Sequence, residues 1–129
     1  MVNIPRALCA LALLVLSSPI GAQKVLQPEQ VFFEFQVEQP ATLPRNNPEP
    51  KFPAALRNTH PEGQVLCQFV VDTSGVADTT SFRILRTDHD LFSNAVREVL
   101  PRLQFTAAVF GGHKVRQLVQ MPFAFKAPD

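Results

Sequence analysis

The residues best equipped for chemistry are three histidines, two neighbouring acids, one cysteine and two glycine-containing turns. His60, His89 and His113 lie far apart in the sequence, each beside a turn signal. No two stand at i, i+4, whereas a metal centre needs converging ligands. They read as loop residues. Asp88 and Asp90 precede a helical pattern, where an acid ordinarily caps the first turn. Cys67 alternates with Val65 and Phe69 and reads as a small buried hydrophobe. A reactive thiol would want an exposed, electropositive setting. "DTSG" at 72–75 lacks the strand-to-helix context of a nucleophile elbow. "FGGHK" at 110–114 leads into a strand pattern, whereas a phosphate-binding loop leads into a helix. The chain therefore offers no catalytic set, no metal or cofactor site and no evident small-molecule substrate. We read it as non-enzymatic.

Charge narrows the partners. Twelve Lys and Arg face eleven Asp and Glu, and the chain has no Trp or Tyr. Arg83, Arg86, Arg97 and Arg102 fall in one half of the sequence, but acids are interspersed among them. Without a net basic field or rings to stack on bases, nucleic acid is not an expected partner.

The first residues read as a targeting signal. Arg6 supplies a positive start, Ala7 to Leu16 an apolar run, and Ser17-Ser18-Pro19 breaks it before the small residues Gly21 and Ala22. That is the pattern of a cleaved secretory signal over residues 1–22. A membrane span needs about 20 apolar residues, more than this run holds. Cleavage would remove Arg6 and Cys9, leaving eleven basic residues against eleven acidic ones, and Cys67 alone. Mass spectrometry of the mature N-terminus should find a chain that begins near Gln23. An intact residue 1 would mean an anchored protein.

Residues 23–50 read as an N-terminal strand and a Pro-rich connector. In "QVFFEFQVE", Gln30 to Glu38, residues Val31, Phe33, Phe35 and Val37 share a face, which is the period of a half-buried strand. Gln39 to Pro50 carries four prolines and two asparagines and reads as extended. Residues 51–126 then form the domain. Phe52 to Asn58 is a candidate short helix, with Pro53 tolerated in its first turn. Gln64 to Asp72 alternates as a strand, Asp72 to Gly75 is a hairpin turn, and Val76 to Arg86 returns. Leu91, Phe92, Ala95, Val96 and Val99 recur at helical spacing up to Pro101. Phe105 to Phe110 reads as a connector. Lys114 to Lys126 is a last strand, which Pro122 either confines to an edge or breaks. The expected fold is α+β: a small, mainly antiparallel sheet of three to four strands with two helices on one face.

The ordered motifs resemble the C-terminal domain of the TonB energy-transducer family. They run Pro50-Lys51-Phe52-Pro53-Ala54-Ala55, then Glu62-Gly63-Gln64-Val65, then Asp72-Thr73-Ser74-Gly75-Val76. Downstream come Phe105-Thr106-Ala107-Ala108, Gly112-His113-Lys114-Val115 and an apolar close at Pro122 to Phe125. Pro50, Phe52, Pro53, Glu62, Gly63, Val65 and Gly75 carry the family pattern. Phe52 stands where the family has Tyr, and Ala107 where it has Pro.

The resemblance implies a periplasmic module that binds an extended segment of an outer-membrane receptor, or of another envelope protein, by strand addition. An exposed sheet edge satisfies its N–H and C=O groups with an incoming strand. The expected edge is the last strand, at Val115, Arg116, Gln117, Leu118, Val119, Gln120 and Met121. Two alternatives stand beside this one. The same domain could serve as a structural or envelope protein that binds cell-wall polymer, or self-pairs through its edge into a homodimer. It could also be an anchored transducer, if residues 1–22 are retained.

Overall fold

The computed structural model describes residues 30–129. The expected signal segment lies outside them. Five strands and one α-helix form in the order β1 (Val31–Phe32), β2 (Glu62–Val71), β3 (Ala77–Thr87), α1 (Asp90–Val99), β4 (Ala108–Phe110) and β5 (His113–Lys126). The sheet order is β1-β5-β2-β3, and β4 also pairs with β5.

The long strands follow from alternation. In β2, Val65, Cys67, Phe69 and Val71 turn to one face and are fully buried. Residues of the opposite parity, Gln64, Leu66 and Gln68, stay at least partly exposed. β5 repeats the pattern with Val115, Gln117, Val119, Phe123 and Phe125 inward. β2 and β5 pair antiparallel without a register shift from Glu62↔Lys126 to Val71↔Gln117. Helix α1 closes the inward face. Phe92, Ala95, Val96 and Val99 fall at i, i+3, i+4 and i+7, and all four are buried in one cluster with the inward residues of β2.

The α+β expectation holds, with corrections. The sheet is mixed, because β1 runs parallel to β5. It has five strands, not three to four. There is one α-helix. The second expected helix, Phe52 to Asn58, is reduced to a single 3₁₀ turn at Ala54–Leu56. One turn fixes too few hydrogen bonds to offset its nucleation cost, so the segment is held by burying Leu56 and by the partly buried Phe52. The helix cap also differs. His89, not Asp88 or Asp90, occupies the N-cap position, and its Nδ1 accepts from Leu91 N–H at 3.0 Å. Asp88 instead accepts from Gln64 N–H at 2.8 Å and ties the helix approach to β2.

The N-terminal segment departs furthest from its sequence pattern. Of Gln30 to Glu38 only Val31 and Phe32 pair, and Glu34–Gln36 form a 3₁₀ turn. The connector after it is docked, not free. Gln39 bridges Val109 and Thr42 bridges Thr106. Asn47 receives Gln104 N–H at 2.7 Å and donates to the Gln104 carbonyl at 3.1 Å. Phe105 to Phe110, expected as connector, supplies β4, which folds back on β5 through Gly111 and Gly112.

The β2–β3 turn is a carboxylate cage. Asp72 Oδ1 accepts from Ser74 N–H at 2.9 Å, Ser74 Oγ at 2.6 Å and Val76 N–H at 3.0 Å. Burial pushes this carboxyl up, but those hydrogen bonds and the Arg116 guanidinium outweigh it and hold it below the usual Asp value.

Candidate functional site

The groups best equipped for chemistry do not converge. Among the described residues no three His, Cys, Asp or Glu side chains are placed to hold a metal. His60 and His89 do meet, with ring centroids 5.1 Å apart. His89 spends its Nδ1 lone pair on the helix, so the neutral ring carries its proton on Nε2 and has no free lone pair to offer. His113 lies apart at the start of β5. Cys67 is fully buried, its thiol donates to the Met121 carbonyl at 3.4 Å, and burial pushes it up to about 12. At neutral pH it stays protonated and inert.

Backbone geometry offers more. The sheet has two open edges of different character, β3 on one side and, on the other, the part of β5 that the two-residue β1 does not cover. β3 is irregular: its pairing with β2 shifts register between Leu66 and Cys67 and again between Gln68 and Val70. Its polar side chains also bond locally. Ser81 Oγ accepts from Val70 N–H at 2.8 Å, and Asp78 Oδ1 accepts from Thr80 N–H and Thr80 Oγ1 at 3.0 and 2.6 Å. Bulges and local bonds of this kind protect an edge from added strands.

β5 is different. Its backbone groups alternate between β2 and the outer side. Pro122 pairs with Leu66 inside an unshifted ladder, so its missing N–H falls on the outer side. Pro122 therefore neither breaks nor ends β5. By the same alternation Leu118, Gln120, Ala124 and Lys126 also address the outside. The N-terminal part of that side is occupied by β1: Arg116 pairs with Val31 and Gln117 with Phe32. Beyond Leu118, among the described residues, no backbone hydrogen bond reaches it.

The expected edge residues thus separate into two groups. Arg116 and Gln117 carry β1 on the outer side and Val115 pairs with Ala108 in the β4–β5 hairpin, while Leu118, Val119, Gln120 and Met121 lie on the bare stretch. Gln117, expected only as a backbone edge residue, also acts through its side chain. It is 2% exposed, and its Oε1 accepts from Ala41 N–H at 2.7 Å, fastening the connector to β5.

The bare stretch borders a groove of about 530 Å³. Leu43, Pro44, Pro48, Pro50 and Phe52 line one side, and Met121 to Lys126 the other. Arg45, Glu49 and Lys126 supply its charges. A second cleft, about 760 Å³, lies between residues 57–62 and 126–129 at the far end of β5. Residues of the sequence motif build this neighbourhood. Pro53 starts the 3₁₀ turn, and Phe52 meets Phe92 and Phe125 edge-on at 5.7 and 6.5 Å. Glu62 opens β2, Gly63 lies under Phe92, Val65 is fully buried, and Gly75 closes the β2–β3 turn.

Comparison with protein families matches residues 48–127 to the Gram-negative bacterial TonB protein C-terminal family. The chain belongs to that family. The TonB C-terminal match begins in the connector beside the groove and ends just past β5. Among solved structures, the chain is similar to the solution NMR structure of the Pseudomonas aeruginosa TonB C-terminal domain, with a TM-score of 0.54 and 24% identity. That alignment covers 69% of this chain and 88% of the other, and supports a shared fold. No curated protein matches the sequence.

Proposed function

We propose that this TonB C-terminal chain is a periplasmic protein-interaction module without catalytic activity. It receives an extended segment of an outer-membrane receptor, or of another envelope protein, as an added strand on the outer side of β5. The observation that carries this reading is the bare stretch from Leu118 to Lys126, which lies beside an apolar-walled groove while β3 is bulged. Main-chain pairing would supply affinity, and the groove would select side chains. Family membership directs the choice of partner. The periplasmic placement rests on the reading of residues 1–22 as a secretory signal.

Gln120→Pro is the sharpest probe. It removes the outward N–H nearest Pro122 and leaves the β2 side of the ladder intact. Binding of peptides from receptor plug segments should weaken by about tenfold, the worth of one hydrogen bond with its ladder neighbour, with little change in melting temperature. Amide shifts on titration of the unmodified chain should concentrate in Leu118 to Lys126. Peptide binding that leaves the amides of Lys114 to Phe125 unmoved would rule out this edge.

A further inference from the structure

The start of the β5 edge already holds a strand, and that strand belongs to the chain itself. Val31 and Phe32 run parallel to β5 at Arg116 and Gln117, directly before the bare stretch. Phe32 is the anchor. It is 5% exposed, packs with Ala108 and Val115, and stacks on Phe110 at 5.0 Å. The chain then leaves the edge at Phe33 through its 3₁₀ turn, where Gln36 Oε1 accepts from Phe33 N–H at 2.8 Å. This departure strands two large rings in solvent. Phe33 is 50% exposed and Phe35 85%, and they stack only on each other at 5.6 Å. The same residues have the alternation and the aromatic content of a strand.

We propose that Gln30 to Val37 is a tethered competitor for the β5 edge. In the resting chain it occupies Arg116 and Gln117 and confines an incoming strand to Leu118 and beyond. A partner that pairs along the whole edge displaces it. The inference rests on the strand-addition reading above. Three features support it. β1 and a partner would use the same row of outward backbone groups. β1 has two paired residues against ten in the β2–β5 ladder, so it is the part of the sheet most readily released. Phe32 packs in a small satellite cluster with Ala108 and Val115, separate from the main core, so its release leaves the main core intact.

The test uses the full chain and, as probe, a synthetic peptide of its own sequence QVFFEFQV (residues 30–37). Two variants bracket the unmodified protein. Phe32→Ser removes the anchor. Val31→Cys with Arg116→Cys, in a Cys9→Ser background, locks β1 when oxidised. The peptide should bind Phe32→Ser at least tenfold more tightly than the unmodified chain, with amide shifts that extend back to Lys114. On the oxidised lock its shifts should stay within Leu118 to Lys126. Equal affinity and equal shift patterns in all three would overturn the competitor while leaving strand addition standing. No binding even to Phe32→Ser would also overturn the competitor, and the receptor-peptide titration would still judge strand addition separately. Hydrogen exchange on the unmodified chain gives a readout that does not depend on the variants folding. Amides at the β1–β5 contact should exchange by local opening, at least 100-fold faster than those between β2 and β5. Exchange only through global unfolding would mean that β1 does not leave, and would overturn the proposal.

Discussion

Phe92→Ala is expected to destabilise the domain by about 3–5 kcal/mol, the range for deleting a fully buried Phe ring. Phe92 has no exposed surface and sits where α1 crosses the sheet. It stacks on Phe125 at 4.7 Å, meets Phe52 edge-on at 5.7 Å and touches the His89 cap at 6.4 Å between centroids. One edge of the ring rests on Gly63. A Cβ there would lie 2.3 Å from Phe92 Cε2, so glycine at this strand position provides room for a ring. Because Phe125 and Phe52 also pack against the ring and are held by their own neighbours, the cavity cannot readily collapse. A urea melt should show a lower midpoint with an unchanged slope. A loss below about 1.5 kcal/mol would mean that the ring is not the centre of this cluster. The pair also predicts coupling. Gly63→Ala alone should cost about 1–3 kcal/mol by overpacking. In the Phe92→Ala background the added methyl enters a vacancy, and the same substitution should cost much less. Additive losses would contradict the contact.

This cluster shows what the sequence makes legible. Alternation placed Val65, Cys67, Phe69 and Val71 on one face, and helical spacing placed Phe92, Ala95, Val96 and Val99 on one stripe, because both patterns record which side of a local element faces the core. The Glu62-Gly63 motif was legible as a family signature, but its physical reason was not, since Gly63 answers to a ring 29 positions away. β1 failed for the complementary reason. Gln30 to Glu38 alternates well, yet a strand also needs a neighbour, and the chain turns away to bridge Val109 after two paired residues. β4 was invisible because three residues carry no period. His89 is not the cap that residue type suggests, because the nearby acids are the commoner capping residues, although its Nδ1 fills the same acceptor role. The candidate edge was half legible. Alternation and Pro122 singled out β5, whereas the split between its occupied and bare portions depends on which segments return to pair with it, and no local pattern encodes that.

Gly75→Ala is expected to cost about 3 kcal/mol or more, and the reason can be separated from ordinary turn strain. Gly75 has φ +83°, where an L-residue pays about 1–2 kcal/mol. The larger obstacle is steric. A Cβ at this position would lie 2.1 Å from the Phe105 carbonyl oxygen and 2.7 Å from Gln104 Nε2. The carbonyl belongs to backbone that cannot step aside cheaply, because Phe105 is 3% exposed and its N–H donates to the Gly75 carbonyl at 2.8 Å. Separating the turn from the Phe105 segment to admit a methyl would break that bond, and would pull at Gly75 N–H, which donates to the Asp72 carbonyl at 3.0 Å. The turn thus holds the β2–β3 hairpin against the segment that leads into β4, so its loss would loosen both sides of the sheet. Asparagine discriminates the two causes. It tolerates positive φ far better than alanine but brings the same Cβ. If strain alone mattered, Gly75→Asn would recover most of the stability. If the close approach to Phe105 dominates, Asn should be about as damaging as Ala in thermal melts, and a near-native melting temperature for Gly75→Asn would refute the steric account.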